Sequence, residues 1–119
     1  MPTPETPVLS HARLDVYRCA IEFLALAASI LSSLPKGNAD LADQLRRASL
    51  SVTLNIAEGA GKTTAPDKRK HFAIARGSAL ECAAILDAAE ILQIVDPTVV
   101  VRGNALLTRV VAMLTKMAR

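Results

Sequence analysis

Tryptophan is absent from this 119-residue chain, and aromatic residues make up only 3% of it. One tyrosine and two phenylalanines supply no series of rings on which successive bases could stack, so any contact with nucleic acid is expected on the phosphate backbone. Histidine occurs twice, His11 and His71, and cysteine twice, Cys19 and Cys82. None of the four stands at metal-ligand spacing, and the Glu-x-x-His motifs of di-metal helical bundles are missing. No catalytic residue, metal or cofactor is therefore expected, and the cysteines read as buried structural thiols. Enzymatic activity is not expected either, because no constellation of nucleophile, base and orienting group can be assembled.

The N-terminal residues show no charged segment leading into an apolar one, so residues 1–12 read as a flexible leader and not as a secretory signal. The longest charge-free apolar stretch, Phe23 to Leu34, is interrupted by three serines and falls short of the ~20 residues that cross a bilayer. A soluble, cytoplasmic protein is expected, with no membrane partner.

What the chain has in abundance is aliphatic residues: 51% of it is hydrophobic, with a mean hydropathy of +0.32. The periodicity is helical throughout, which predicts one all-α domain over residues 13–119. A first helix follows Leu14, Tyr17, Ile21, Leu24, Ala28 and Leu31 and ends at Leu34-Pro35-Lys36-Gly37. It carries a second apolar stripe, Val16, Ala20, Phe23, Ala27 and Ile30. A second helix begins after Asn38 and ends at Gly59-Ala60-Gly61, where glycine suits a left-handed terminal residue. The third starts at Pro66 and runs to about Ile94, roughly 43 Å, along Phe72, Ala75, Ala79, Cys82, Leu86 and Ala89. The fourth covers about Thr98 to Ala118. Short connections between long helices predict an antiparallel up-down-up-down four-helix bundle. More apolar surface is available than one small core hides, which predicts a homo-oligomer.

Charge is segregated along the chain. Residues 46–76 hold seven lysines and arginines against two acids; residues 77–101 hold four acids and no base; residues 102–119 hold four bases and no acid. Arg46, Arg47, Lys62, Lys68, Arg69, Lys70 and Arg76 are the candidate phosphate-binding residues. The alternative is a charged rim that meets a partner protein.

Polar residues also enter apolar helices. Ser51, Asn55 and Glu58 share one stripe of the second helix, and Ser78 and Glu81 lie on the third. Glu81 is expected at least partly buried and paired, so these five residues are read as a polar network locking the two helices. Gly77, inside a helix, is expected where a neighbouring backbone comes close. Gly59-Ala60-Gly61-Lys62-Thr63 resembles the end of a phosphate loop, but it follows a helix and has Ile56 where that motif needs glycine.

The run Gln44-Leu45-Arg46-Arg47-Ala48-Ser49-Leu50-Ser51-Val52-Thr53-Leu54-Asn55-Ile56-Ala57-Glu58-Gly59, with Phe72-Ala73-Ile74-Ala75-Arg76-Gly77-Ser78-Ala79-Leu80-Glu81, resembles the bacterial four-helix-bundle proteins encoded in intervening sequences of large-subunit ribosomal RNA genes. The resemblance extends over nearly the whole chain from Leu14. It implies a non-enzymatic bundle with a ribosomal-RNA-associated role. Similarity to the accessory protein of diversity-generating retroelements further implies a homopentamer with a basic surface facing RNA or DNA. Ala60 stands where an aromatic is common in the family, so a contact made by that ring is not expected here.

Overall fold

A computed structural model describes residues 9–119 as a short 3-10 turn, Ser10–Arg13, followed by four helices: α1 (Asp15–Ser33), α2 (Ala39–Gly61), α3 (Ala65–Ile91) and α4 (Pro97–Met117). Residues 1–8 of the expected leader lie outside the described residues. The 3-10 turn packs against α1 and α2, and the ring of His11 meets Tyr17 edge-on at 4.7 Å. No strand occurs among the described residues. Helix α1 packs on α2, α2 on α3, α3 on α4, and α4 closes the ring against α1.

Local chemistry sets most of the boundaries. Thr64 caps α3 by accepting a hydrogen bond from the Asp67 backbone N–H at 3.3 Å, with Pro66 in the first turn. Asp96 caps α4, accepting from both the N–H and the hydroxyl of Thr98 at 2.9 and 2.8 Å, and these bonds hold its carboxyl below the usual carboxylate range. The turn between α1 and α2 uses Gly37 at φ +91°.

One helix end differs from the sequence expectation in position and another in its geometry. Helix α3 stops at Ile91 because Gln93 takes a left-handed conformation, φ 57°, and the Ile94 N–H turns back to the Ala89 carbonyl at 3.1 Å. With no glycine there, the stop has no composition signal, and the apolar pattern carries the reading to Ile94. Helix α2 ends at Gly61, inside the expected segment, but with no left-handed glycine, and is capped at Lys62, φ −74°. Gly59 is instead required by packing, because a Cβ built on it would stand 2.6 Å from Cε1 of Phe72.

The core runs along the axis. Phe23, Leu45, Ile56, Leu86 and Leu114 are buried to 2% exposure or less, together with Val16, Val52, Cys82 and Val110. On α1 it is the Val16–Ala20–Phe23–Ala27–Ile30 stripe that is buried. The Leu14–Tyr17–Ile21 stripe, expected as the seam, lies half-buried to exposed. The bulky Phe23 decides between them: burying its ring removes more apolar area from water than burying Tyr17, whose hydroxyl needs a polar partner. Gly103 admits the side chain of Leu86 to the same layer. Helices α1 and α4 are long and apolar enough by composition to span a membrane, and each turns one stripe into this core.

Candidate nucleic-acid interface

Antiparallel packing carries the C-terminal ends of α2 and α4 to the same end of the bundle as the start of α3. Lys62, Lys68, Arg69, Lys70 and Arg76 therefore share that end with Lys116 of α4 and with Arg119, two residues beyond its last turn. The link is direct at one point: Nε of Arg76 donates to the hydroxyl of Thr115 at 2.8 Å, and that hydroxyl donates to the Val111 carbonyl at 2.7 Å. The opposite end carries Asp40, Asp43, Asp87, Glu90 and Asp96, so the bundle has one basic pole and one mixed, acid-rich pole.

The candidate basic residues do not act alike. Arg46 and Arg47 lie near the start of α2, about 22–24 Å along the helix from Lys62 at 1.5 Å per residue. Both pair with Asp43, at 3.7 and 3.5 Å. They are not part of the basic pole: sequence proximity to the motif suggested it, and about four turns of helix remove it. Lys62 pairs with Glu58 at 3.5 Å. The Lys68 ammonium donates to the carbonyls of Gly59 and Ala60, at 3.4 and 3.1 Å, where the negative end of the α2 dipole gathers. Lys68 thus closes α2. Arg69 and Lys70 are exposed and form no ion pair among the described residues.

Beside this pole, a polar joint crosses between α2 and α3. The hydroxyls of Ser51 and Ser78 lie 2.7 Å apart, and the Asn55 amide donates to the Ser51 carbonyl and hydroxyl at 2.9 and 3.2 Å. Asn55 Oδ1 then faces Nδ1 of His71 at 3.1 Å. Three of the five residues expected in the network are brought together. Glu58 and Glu81 are not: both are exposed, and Glu81 has no bonded partner among the described residues. A carboxylate at the rim of the helix pair reaches water, which solvates it at no desolvation cost. The place expected for a carboxylate is taken by His71, which precedes Ser78 by seven residues and so lies on its stripe. That spacing was the available signal.

Gly77 also differs from expectation. It is exposed, and a Cβ built on it meets nothing within 4 Å. Cys82 lies fully buried, and desolvation, with Glu81 adding negative charge beside it, pushes its thiol up to about 12. It is an unreactive thiol.

An open cleft of about 490 Å³ lies between the 3-10 turn and the end of α2, lined by His11, Leu54, Ala57, Glu58, Gly61 and Lys62. It gathers no nucleophile with a base to activate it. No group of three potential metal-ligating side chains converges among the described residues.

A four-helix chain with a serine–asparagine joint and a basic pole defines a small helical-bundle protein with no assembled reaction centre among its described residues. The chain belongs to the family of the 23S rRNA-intervening sequence protein, whose model it matches over residues 12–116. No curated protein matches it.

Proposed function

We propose that the protein binds the phosphate backbone of RNA through its basic pole, and that it does so without catalysing a reaction. The observation that carries this reading is the unneutralised set Arg69, Lys70, Lys116 and Arg119, which share one end of the bundle and form no ion pair among the described residues. Membership of a family described by a ribosomal RNA intervening sequence makes RNA the first polyanion to test. Both phenylalanines are buried and no series of exposed rings stands at the pole, so it would bind through charge, with little sequence preference.

Self-association belongs to the same reading. Ile21 of α1 and Leu50 and Leu54 of α2 are 41, 39 and 58% exposed. Covering them with further copies, in a pentamer, would place several basic poles on one assembly and multiply the field that a polyanion meets. The cytoplasm is the compartment this role requires.

The test is fluorescence anisotropy of a labelled RNA against salt concentration. Binding that falls steeply with salt, and a slope that flattens in an Arg69→Glu, Lys70→Glu double variant, is the expected result. Absence of binding at 50 mM salt would overturn the reading.

A further inference from the structure

The Arg76–Thr115 contact does more than join two helices. Nε of Arg76 is occupied by the threonine hydroxyl, and that hydroxyl is itself fixed by its bond to the Val111 carbonyl. The guanidinium is thereby held at its inner edge, while its two terminal nitrogens make no hydrogen bond among the described residues. Such a group is a preorganised fork: two parallel N–H donors, aimed as a pair, match the two oxygens of a phosphate.

The surroundings suit an anion. On α3, Arg69 precedes Arg76 by seven residues and occupies the same stripe. Lys116 of α4 and Arg119 just beyond it follow Thr115 within four residues, and α4 has no acidic residue along its length. Away from the pole, the seam between α3 and α4 opens into a groove of about 390 Å³ lined mainly by apolar side chains, among them Leu80, Leu107 and Val111, so the attraction for an anion lies on the pole side of Arg76. A carboxylate that would neutralise the fork is missing from this side.

We infer that Arg76, positioned by Thr115, is the anchoring arginine for a backbone phosphate at the edge of the basic pole. This rests on the phosphate-binding reading and adds to it a specific contact and a residue, Thr115, with no charge of its own. Arg69, Lys70, Lys116 and Arg119 supply attraction that depends on charge alone. Arg76 supplies geometry.

The two contributions separate experimentally. With a labelled 20-base-pair RNA duplex, Arg76→Lys keeps the charge and loses the fork, while Thr115→Val keeps the arginine and releases it. Each is expected to weaken binding about fivefold to tenfold, with the slope of log affinity against log salt unchanged. Thr115→Ser, which keeps the hydroxyl, is expected to bind as the wild type does, and the melting temperature of every variant establishes that it folds. Arg69→Gln instead lowers the salt slope by about one ion. Wild-type affinity in both Arg76→Lys and Thr115→Val, in a protein whose Arg69→Gln variant still loses slope, overturns the anchor and leaves general phosphate binding standing. Failure of the wild type to bind the duplex or a single strand of equal length at 50 mM salt overturns both.

Discussion

Nδ1 of His71 lies 3.1 Å from Oδ1 of Asn55. Because the Asn55 amide nitrogen is committed to Ser51, its oxygen can only accept, so His71 must carry its proton on Nδ1. The neutral ring is thereby confined to one tautomer. Nitrogen-15 chemical shifts of the histidines report it directly: His71 is expected as the Nδ1–H form, and an Nε2–H form would mean the contact is not made in solution.

The same contact should appear as coupling. In a double-mutant cycle, Asn55→Ala and His71→Ala are expected to share about 0.5–1.5 kcal/mol, the usual net worth of a hydrogen bond. A cycle on Asn55 and Glu81 should return none, since Glu81 faces water. Denaturant unfolding of the single and double variants measures both.

Lys68 and Arg69 are neighbours in sequence with opposite roles. Lys68→Met removes the cap on the Gly59 and Ala60 carbonyls and is expected to cost about 1 kcal/mol of stability. Arg69→Gln should leave stability within about 0.5 kcal/mol of the wild type, as for an exposed substitution. Thermal melts of the two proteins side by side decide the matter; equal losses would remove the distinction between a capping lysine and a free arginine.

Two glycine substitutions should move stability in opposite directions. Gly59→Ala forces a methyl against the Phe72 ring and is expected to destabilise by about 1–3 kcal/mol. Gly77→Ala meets open space within a helix and is expected to stabilise by about 0.8–1 kcal/mol. Chemical denaturation distinguishes the pair, and stabilisation by both would show that Phe72 is free to move away.

Alkaline pH should weaken the fold through Cys82. Its thiol titrates near 9.0 when exposed and at about 12 when buried, so below pH 9 both states hold the proton and no stability is at stake. Between these values the unfolded chain releases a proton that the folded chain keeps, and stability falls by up to about 1.4 kcal/mol per pH unit. Cys82→Ala should remove that component from a pH series of unfolding curves, and an unchanged series would assign the loss to other groups.

The helices and the α3 core stripe were legible because burial imposes a regular period and the periodic residues are aliphatic. The α1 stripe was not, since two apolar stripes compete for one core and only the packing of Phe23 against α4 and its neighbours chooses between them. Ser51, Asn55 and Ser78 could be grouped because polar residues on an apolar helix require partners. His71 could not be assigned by composition, standing as it does in the run Lys68-Arg69-Lys70, where charge masks its helical register. The meeting of Arg76 with Thr115, 39 residues away, is a product of tertiary packing that no local pattern announces.

The connection between α2 and α3 is only three residues long, and the two helices pack more extensively on one another than any other pair. Closing so short a loop takes little chain entropy, and its reward is the largest interface in the molecule. This hairpin is therefore the natural nucleus for folding, with α1 and α4 condensing onto it. Transition-state φ-values are expected near 0.5 or above at Val52 and Ala79 and lower at Val16 and Val110; the reverse order would place the nucleus elsewhere. The segment that marks the family would then also be the first part of the chain to acquire its shape.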